Sequence, residues 1–161
     1  MSKSLKRVLA ALDAAGLQIT PVEADAPTKT AAEAARALGV ETDQIGKSII
    51  FRGAESGRAL LFLTAGGNRV DAHSAARLAG EPLERANAAH IRARTGFAIG
   101  GVSPVGHTGD TPAWMDRRLL DFDVIWCAAG TPRHNFGIAP RDLSEKFGLQ
   151  VADFACLSGK M

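Results

Sequence analysis

Two short apolar runs, Ser48–Phe51 and Ala59–Thr64, limit what this chain can fold into more than any other feature. Each is too short, and too β-branched or apolar, for a helix, so both read as strands. Around them stand segments with helix signals. Leu5, Val8, Leu9 and Leu12 recur at helical spacing and Gly16 supplies a stop, which predicts a peripheral helix over 4–16. Thr30 and Glu33 form a capping box that opens a helix ending at Gly39. Asp71 caps a helix running to about Leu78, and Asn87 caps another through about Thr95. Ala113–Met115, Val124–Ala128 and Asn135–Ile138 read as strands, Pro140 starts a short helix, and Val151–Ala155 reads as a last strand. This order is neither strict βαβ alternation nor all-β. It predicts an α+β fold, a mixed sheet with helices packed around it. No linker, repeat or low-complexity segment interrupts 161 residues, so one domain over 1–161 is expected.

Composition narrows the class. Hydrophobic residues at 46% and charged residues at 22% exclude a disordered chain. Two cysteines, Cys127 and Cys156, exclude a disulfide scaffold and a four-cysteine zinc site and suit a reducing cytoplasm. Basic residues precede an apolar stretch at the start, but Asp13 interrupts it and no signal cleavage pattern follows. No apolar run approaches the ~20 residues of a membrane span. The expectation is a soluble cytoplasmic protein with no membrane partner. Residues 52–94 carry seven arginines against Glu55, Asp71, Glu81 and Glu84, the one stretch able to serve as an electrostatic footprint for a phosphate backbone, or simply a solvated helical face. Aromatic residues at 6%, with no tyrosine, argue against a sheet that reads RNA by stacking. A bound nucleic acid would be held by its backbone and one end.

Chemistry has few places to sit. Lys47 follows Gly46 at the mouth of a strand, where its ammonium could enter a cleft and hold a phosphate or oxyanion, or stand in solvent. Gly100-Gly101-Val102-Ser103-Pro104-Val105-Gly106 is constrained by its glycines and Pro104. Its exposed amides could bind an anion, or the segment could merely connect strands. It is not a P-loop, lacking a terminal Gly-Lys-Ser/Thr, and Ser103 does not sit in a Gly-x-Ser-x-Gly elbow. His73, His90, His107 and His134 contain no pair three or four residues apart, so no helical metal pair exists and no metal or other cofactor is expected. His107 follows the glycine loop and His134 lies in a turn between late strands, where it could face a cleft or simply fill the turn. Cys127 reads as core.

In chain order, Lys47-Ser-Ile-Ile-Phe, Asn68-Arg-Val-Asp71, Gly100-Gly-Val-Ser-Pro-Val-Gly106, Pro112-Ala-Trp-Met-Asp116, Ala129-Gly130 with His134, and Ala139-Pro-Arg-Asp-Leu143 resemble the YbaK/EbsC family, relatives of the editing domain of bacterial prolyl-tRNA synthetase. The resemblance implies a half-barrel-like mixed sheet flanked by helices. It implies a trans-editing deacylase that hydrolyses the ester of a mischarged tRNA, the tRNA for proline carrying Ala, Cys, Ser or Thr. No metal and no covalent protein nucleophile are implied. Lys47, Gly100, Gly101, Ser103 and Pro104 fall on the family's lysine and Gly-x-x-x-Pro loop, giving the catalytic set. Lys47, Val102, Gly106, His107, Gly130, Thr131 and His134 are expected to bind substrate, His134 at the terminal ribose or adenosine. Val105 and His107 depart from the family's aromatic and apolar residues, which bears on pocket size. The implied partners are the acceptor end of an aminoacyl-tRNA and, transiently, a tRNA synthetase, with no DNA. The alternative is a module that binds a tRNA end or aminoacyl nucleotide without hydrolysis.

Overall fold

The computed structural model describes residues 1–157. Its elements follow the local signals. Helix α1 (Lys3–Ala14) is capped by the Ser2 hydroxyl, which accepts from the Leu5 amide. Helices α2 (Ala31–Leu38), α3 (Ala72–Ala79) and α4 (Ala88–Thr95) begin at Thr30, Asp71 and Asn87, each side chain accepting from the amide three residues on. Each of these three helices ends on a left-handed glycine: Gly39, Gly80 and Gly96. Glu33 completes its half of the first box by accepting from the Lys29 amide rather than from that of Thr30. Helix α5 (Pro140–Phe147) opens on proline.

Strands β2 (Ile45–Gly53) and β3 (Ala59–Ala65) form the central antiparallel hairpin. With β1 (Val22–Glu23), β6 (Ala113–Asp116), β7 (Ile125–Ala128), β8 (His134–Ile138) and β9 (Gln150–Ala152) they build a mixed sheet in the order β1-β8-β7-β2-β3-β6-β9. Strand β3 is buried along its whole length, since helices cover it on both faces. Leu61, Leu63 and Ala65 join the main cluster with α1, Ile91 and Phe97, whereas Leu60 and Phe62 join Trp114 and Phe154. Phe62 and Trp114 stack at 4.8 Å between ring centroids.

One detail of the topology creates the site. Strand β7 pairs in parallel with β2 only at Ile45 and Gly46, and the short β5 (Leu83–Arg85) covers β2 only from Phe51 to Gly53. Between these two points, the outer edge of β2 has no strand neighbour among the described residues.

Several expectations need correction. Helix α1 is not peripheral: Leu5, Val8 and Leu12 lie in the main core. The single last strand is two, β9 and β10 (Ala155–Leu157), separated at Phe154, which turns into the second cluster. Strand β10 leaves the main sheet and pairs with β4 (Asn68–Val70). Strands β1, β4 and β5 have two or three residues each, too few for a periodicity to declare them.

Candidate active site

A cleft of about 630 Å³ opens beside the uncovered edge of β2. One wall is β2 itself, with Lys47, Ser48, Ile49 and Ile50. The approach to α2 from Thr28 to Ala34 forms another wall, and Ile91, Ile99, Gly100 and Val102 close the far side. Ala128 and Asn135 line it where β7 and β8 diverge from β2. The cleft therefore occupies the crotch between two parallel strands that splay apart, a common place for a site on a mixed sheet.

Lys47 stands opposite Thr64 in the β2–β3 register, and its ammonium donates to the backbone carbonyl of Asn68. Burial pushes its pKa below the ordinary lysine value, while the Asp116 and Asp43 carboxylates push it back up. Those acids are fixed in turn. Asp116 Oδ2 accepts from the Ala65 amide and the Asn68 side-chain amide, both at 3.0 Å, and Asp43 Oδ1 accepts from the Gly67 amide at 2.7 Å. The result is a buttressed cation at one end of the cleft. Nothing local to Asn68, Asp116 or Asp43 marks them as supports of Lys47, because a hydrogen bond spanning 21 or 48 residues leaves no trace in the sequence.

The glycine loop divides its labour. Gly100 and Val102 face the cleft, but the Gly101 amide is already donated to the Ala98 carbonyl at 3.1 Å. Gly101 is needed for packing, since a Cβ there would lie 2.8 Å from Thr131 Cα and 2.9 Å from the Gly130 carbonyl. Ser103 is fully buried and its hydroxyl accepts from the Val105 amide at 3.1 Å. Ser103 is absent from the lining of the cleft. Pro104, Gly106 and His107 line a separate hollow on the far side of the loop, of about 230 Å³. There His107 Nε2 donates to the Ser103 carbonyl at 2.6 Å, and Nδ1 accepts from the Thr111 hydroxyl at 3.0 Å. Burial pushes the His107 pKa below its ordinary value.

The histidine turn also lies elsewhere. Asn135 faces the Lys47 cleft, while its neighbour His134 lines a second cavity of about 460 Å³ with Thr131, Pro132, Glu23 and Leu5. His134 Nδ1 meets the Thr131 hydroxyl at 2.6 Å, and Nε2 lies 3.7 Å from the Glu23 carboxylate. Of the expected set, the cleft thus gathers Lys47, Gly100 and Val102. Gly101 and Gly130 shape the loop around them, and Ser103, Pro104, Gly106, His107, Thr131 and His134 stand behind or beside it. Helix α1 supports this arrangement from below: a Cβ at Gly130 would lie 2.7 Å from the Ser4 backbone, and Arg7 donates to the Gly96 and Gly106 carbonyls.

No strong protein nucleophile stands in this cleft. Burial pushes the Cys127 thiol up to about 12, and its side chain is fully enclosed. Among the described residues, no group of three His, Cys, Asp or Glu could hold a metal ion, and no helix is long and apolar enough to cross a membrane.

A mixed sheet with a splayed-strand cleft, a buttressed lysine and a glycine loop defines a class, and the comparisons agree with it. Residues 25–146 match the aminoacyl-tRNA editing domain, and the chain belongs to that family. It is 48% identical to a protein whose crystal structure is described provisionally as a trans-editing enzyme for prolyl tRNA synthetase, with a TM-score of 0.89 over 96% of this chain and 98% of that one. It is 31% identical to the hypothetical protein APE2540, with a TM-score of 0.86 over 93% and 99% of the two chains. Among curated relatives, the provisionally named Cys-tRNA(Pro)/Cys-tRNA(Cys) deacylase EbsC of Enterococcus faecalis (strain ATCC 700802 / V583) is 25% identical over 77% of this chain and 76% of its own. The uncharacterised YwhH of Bacillus subtilis (strain 168) is 29% identical over 76% and 78%.

Proposed function

We propose that this chain is an aminoacyl-tRNA deacylase acting in trans on a mischarged tRNA, with the tRNA for proline bearing a small wrong amino acid as its substrate. The observation that carries the reading is the pairing of Lys47 with Gly100 and Val102 across a cleft free of strong nucleophiles. An aminoacyl ester is already activated, so orientation and stabilisation of the oxyanion are the main requirements. In this mechanism, water adds to the ester carbonyl and the Gly100 and Val102 amides hold the oxyanion that forms. Lys47 holds the adjoining phosphate or the carbonyl region as a point charge. The ester C–O bond then breaks, the ribose oxygen takes the proton released by water, and free amino acid leaves. The trans-editing relative and the deacylase EbsC support the substrate class. The lining of Ala31, Ala32, Ile49, Ile50 and Val102 suits a small, uncharged side chain.

The test is a deacylation screen over tRNAs charged with Ala, Ser, Thr, Cys and Pro, with the tRNA for proline among them. Hydrolysis of at least one mischarged species well above the spontaneous rate is the expected result. Tight binding without any turnover would instead establish a non-catalytic tRNA-end module.

A further inference from the structure

The uncovered edge of β2 carries a feature that the ester chemistry above does not use. The Ser48 hydroxyl oxygen is buried and has no hydrogen-bond partner among the described residues, yet Ser48 lines the cleft. A buried hydroxyl left in that state is costly, and such groups in folded proteins are normally satisfied by a partner, a water or a ligand.

The backbone beside it is equally available. The Gly53 amide donates to the Arg58 carbonyl, so Gly53 directs its backbone groups toward β3. Alternation along the strand then turns Phe51, Ile49 and Lys47 toward β3, and Arg52, Ile50 and Ser48 outward. The Leu61 amide donates to Pro112, away from β2, and Leu61 is the register partner of Ile50, which agrees with that phase. The outward groups of Arg52 meet β5, but those of Ser48 and Ile50 fall in the uncovered stretch between β5 and β7. Both residues line the cleft.

The charge of the lining decides what belongs there. It includes Lys29 and Lys47 and contains no aspartate or glutamate. A substrate ammonium entering this cleft finds no carboxylate to pair with. Its available partners are neutral oxygens, and along the uncovered edge these are the carbonyls of Ser48 and Ile50, with the unpartnered Ser48 hydroxyl on the same stretch. We propose that this edge is the receptor for the α-ammonium group of the aminoacyl ester, and that Ser48 is the residue that senses it. This inference rests on the deacylase reading, whose phosphate and oxyanion contacts lie elsewhere in the cleft. It gives the site a way to select an aminoacyl ester over an ester lacking the amine.

The experiment pairs substrates that differ only in that group. The wild type, Ser48→Ala and Ser48→Thr are assayed on the best aminoacyl-tRNA of the screen and on its des-amino counterpart, propionyl-tRNA for alanyl-tRNA. Ser48→Ala should lower kcat/KM for the aminoacyl ester by roughly 10- to 100-fold, the range of one hydrogen bond to a charged group, and leave the propionyl ester nearly unaffected. Ser48→Thr, which keeps the hydroxyl, should retain most of the aminoacyl activity. The melting temperature of Ser48→Ala should not fall, since the hydroxyl it removes has no partner to lose. An equal loss on both esters would overturn the proposal and assign Ser48 to a group common to them. No loss on either would also overturn it. A wild type that hydrolyses no aminoacyl-tRNA would instead overturn the deacylase reading, and this inference with it.

Discussion

The backbone of Gly101 lies so close to Thr131 that a Cβ at Gly101 would stand 2.8 Å from Thr131 Cα. The glycine loop and the turn before β8 are thereby pressed together, with α1 beneath both. Gly101→Ala should force the two segments apart, at a cost of about 1–3 kcal/mol for overpacking. Because Gly100 and Val102 flank it in the cleft, deacylation should also fall by at least roughly tenfold through misplaced loop groups. Gly100→Ala meets only the Pro132 side chain, at 3.6 Å, but its φ of +95° makes any side chain strained. Thermal melting and single-turnover rates on the same preparations separate the two effects. An unchanged melting temperature in Gly101→Ala would refute this contact.

How much of this was legible beforehand depends on range. Caps at Thr30, Asp71 and Asn87 act over three residues and were readable as written. So were the two central strands, whose apolar runs have no other use. Strand β5 was not readable, because Leu83-Glu84-Arg85 owes its pairing to β2 and not to its own residues. The same limit governs the site. Lys47 and the glycine loop stood out by residue type, but the face each loop residue presents is set by packing. The resemblance places Ser103 in the catalytic set, whereas its hydroxyl turns inward and accepts from the Val105 amide, and nothing in the residue type of Ser48 marks it as the buried, unpartnered hydroxyl of the cleft edge. The first helix reads as peripheral because its apolar stripe does not say what it covers.

Ser103 offers a direct test for a protein nucleophile. Its hydroxyl is buried and engaged by the Val105 amide, out of reach of the cleft. Ser103→Ala should cost about 1 kcal/mol of stability, the value of one such bond, and leave kcat within a few-fold of the parent. Abolished turnover with an intact fold would make the serine a nucleophile and replace the mechanism proposed here.

The arginines near α4 should show themselves through salt. Arg52 pairs with Glu84 at 3.2 Å, an exposed contact of little energetic weight, and Arg58 approaches the buried Glu81 carboxylate at 3.9 Å. Arg94 lies on the helix whose Ile91 lines the cleft, and its guanidinium converges with that of Arg52 near Gly57. If Arg94 meets a tRNA phosphate, Arg94→Gln should reduce the log–log salt slope of tRNA binding by roughly 0.7–0.9. Filter binding from low to moderate salt measures it. An unaltered slope would remove Arg94 from the phosphate path.

His107 gives the fold an acid sensitivity. Its ring is neutral, with both nitrogens bonded, and burial holds its pKa below the ordinary value. The unfolded chain then binds the proton more readily than the folded one, so stability rises with pH across this window. The contribution is fully present above about 6.5, the unfolded value, and is lost as pH falls toward the depressed folded value. His107→Gln, which still offers an N–H to the Ser103 carbonyl, should melt with a flatter pH dependence below that point. Parallel curves for the two proteins would show that another group sets the acid limb.

Lys47 provides the alkaline counterpart. If its ammonium serves the reaction, Lys47→Ala should cut deacylation by at least roughly tenfold, or about 1.4 kcal/mol, with the fold intact. In the parent, activity should fail as pH rises through a lysine pKa lowered by burial, hence below the ordinary value. The Asp116 carboxylate works against that lowering, so Asp116→Asn removes a charge that keeps the ammonium protonated. The alkaline limb of the enzyme-dependent rate should therefore move to lower pH in Asp116→Asn. The Lys47 ε-carbon, followed by NMR in labelled protein, should titrate lower by the same displacement. Asn at this position can still accept from the Ala65 and Asn68 amides through its one oxygen, while losing the bond that Asp116 Oδ1 accepts from the Arg118 amide, so the melting temperature is read on the same variant. A limb that stays put while the Lys47 titration moves would show that the rate does not depend on this ammonium's proton.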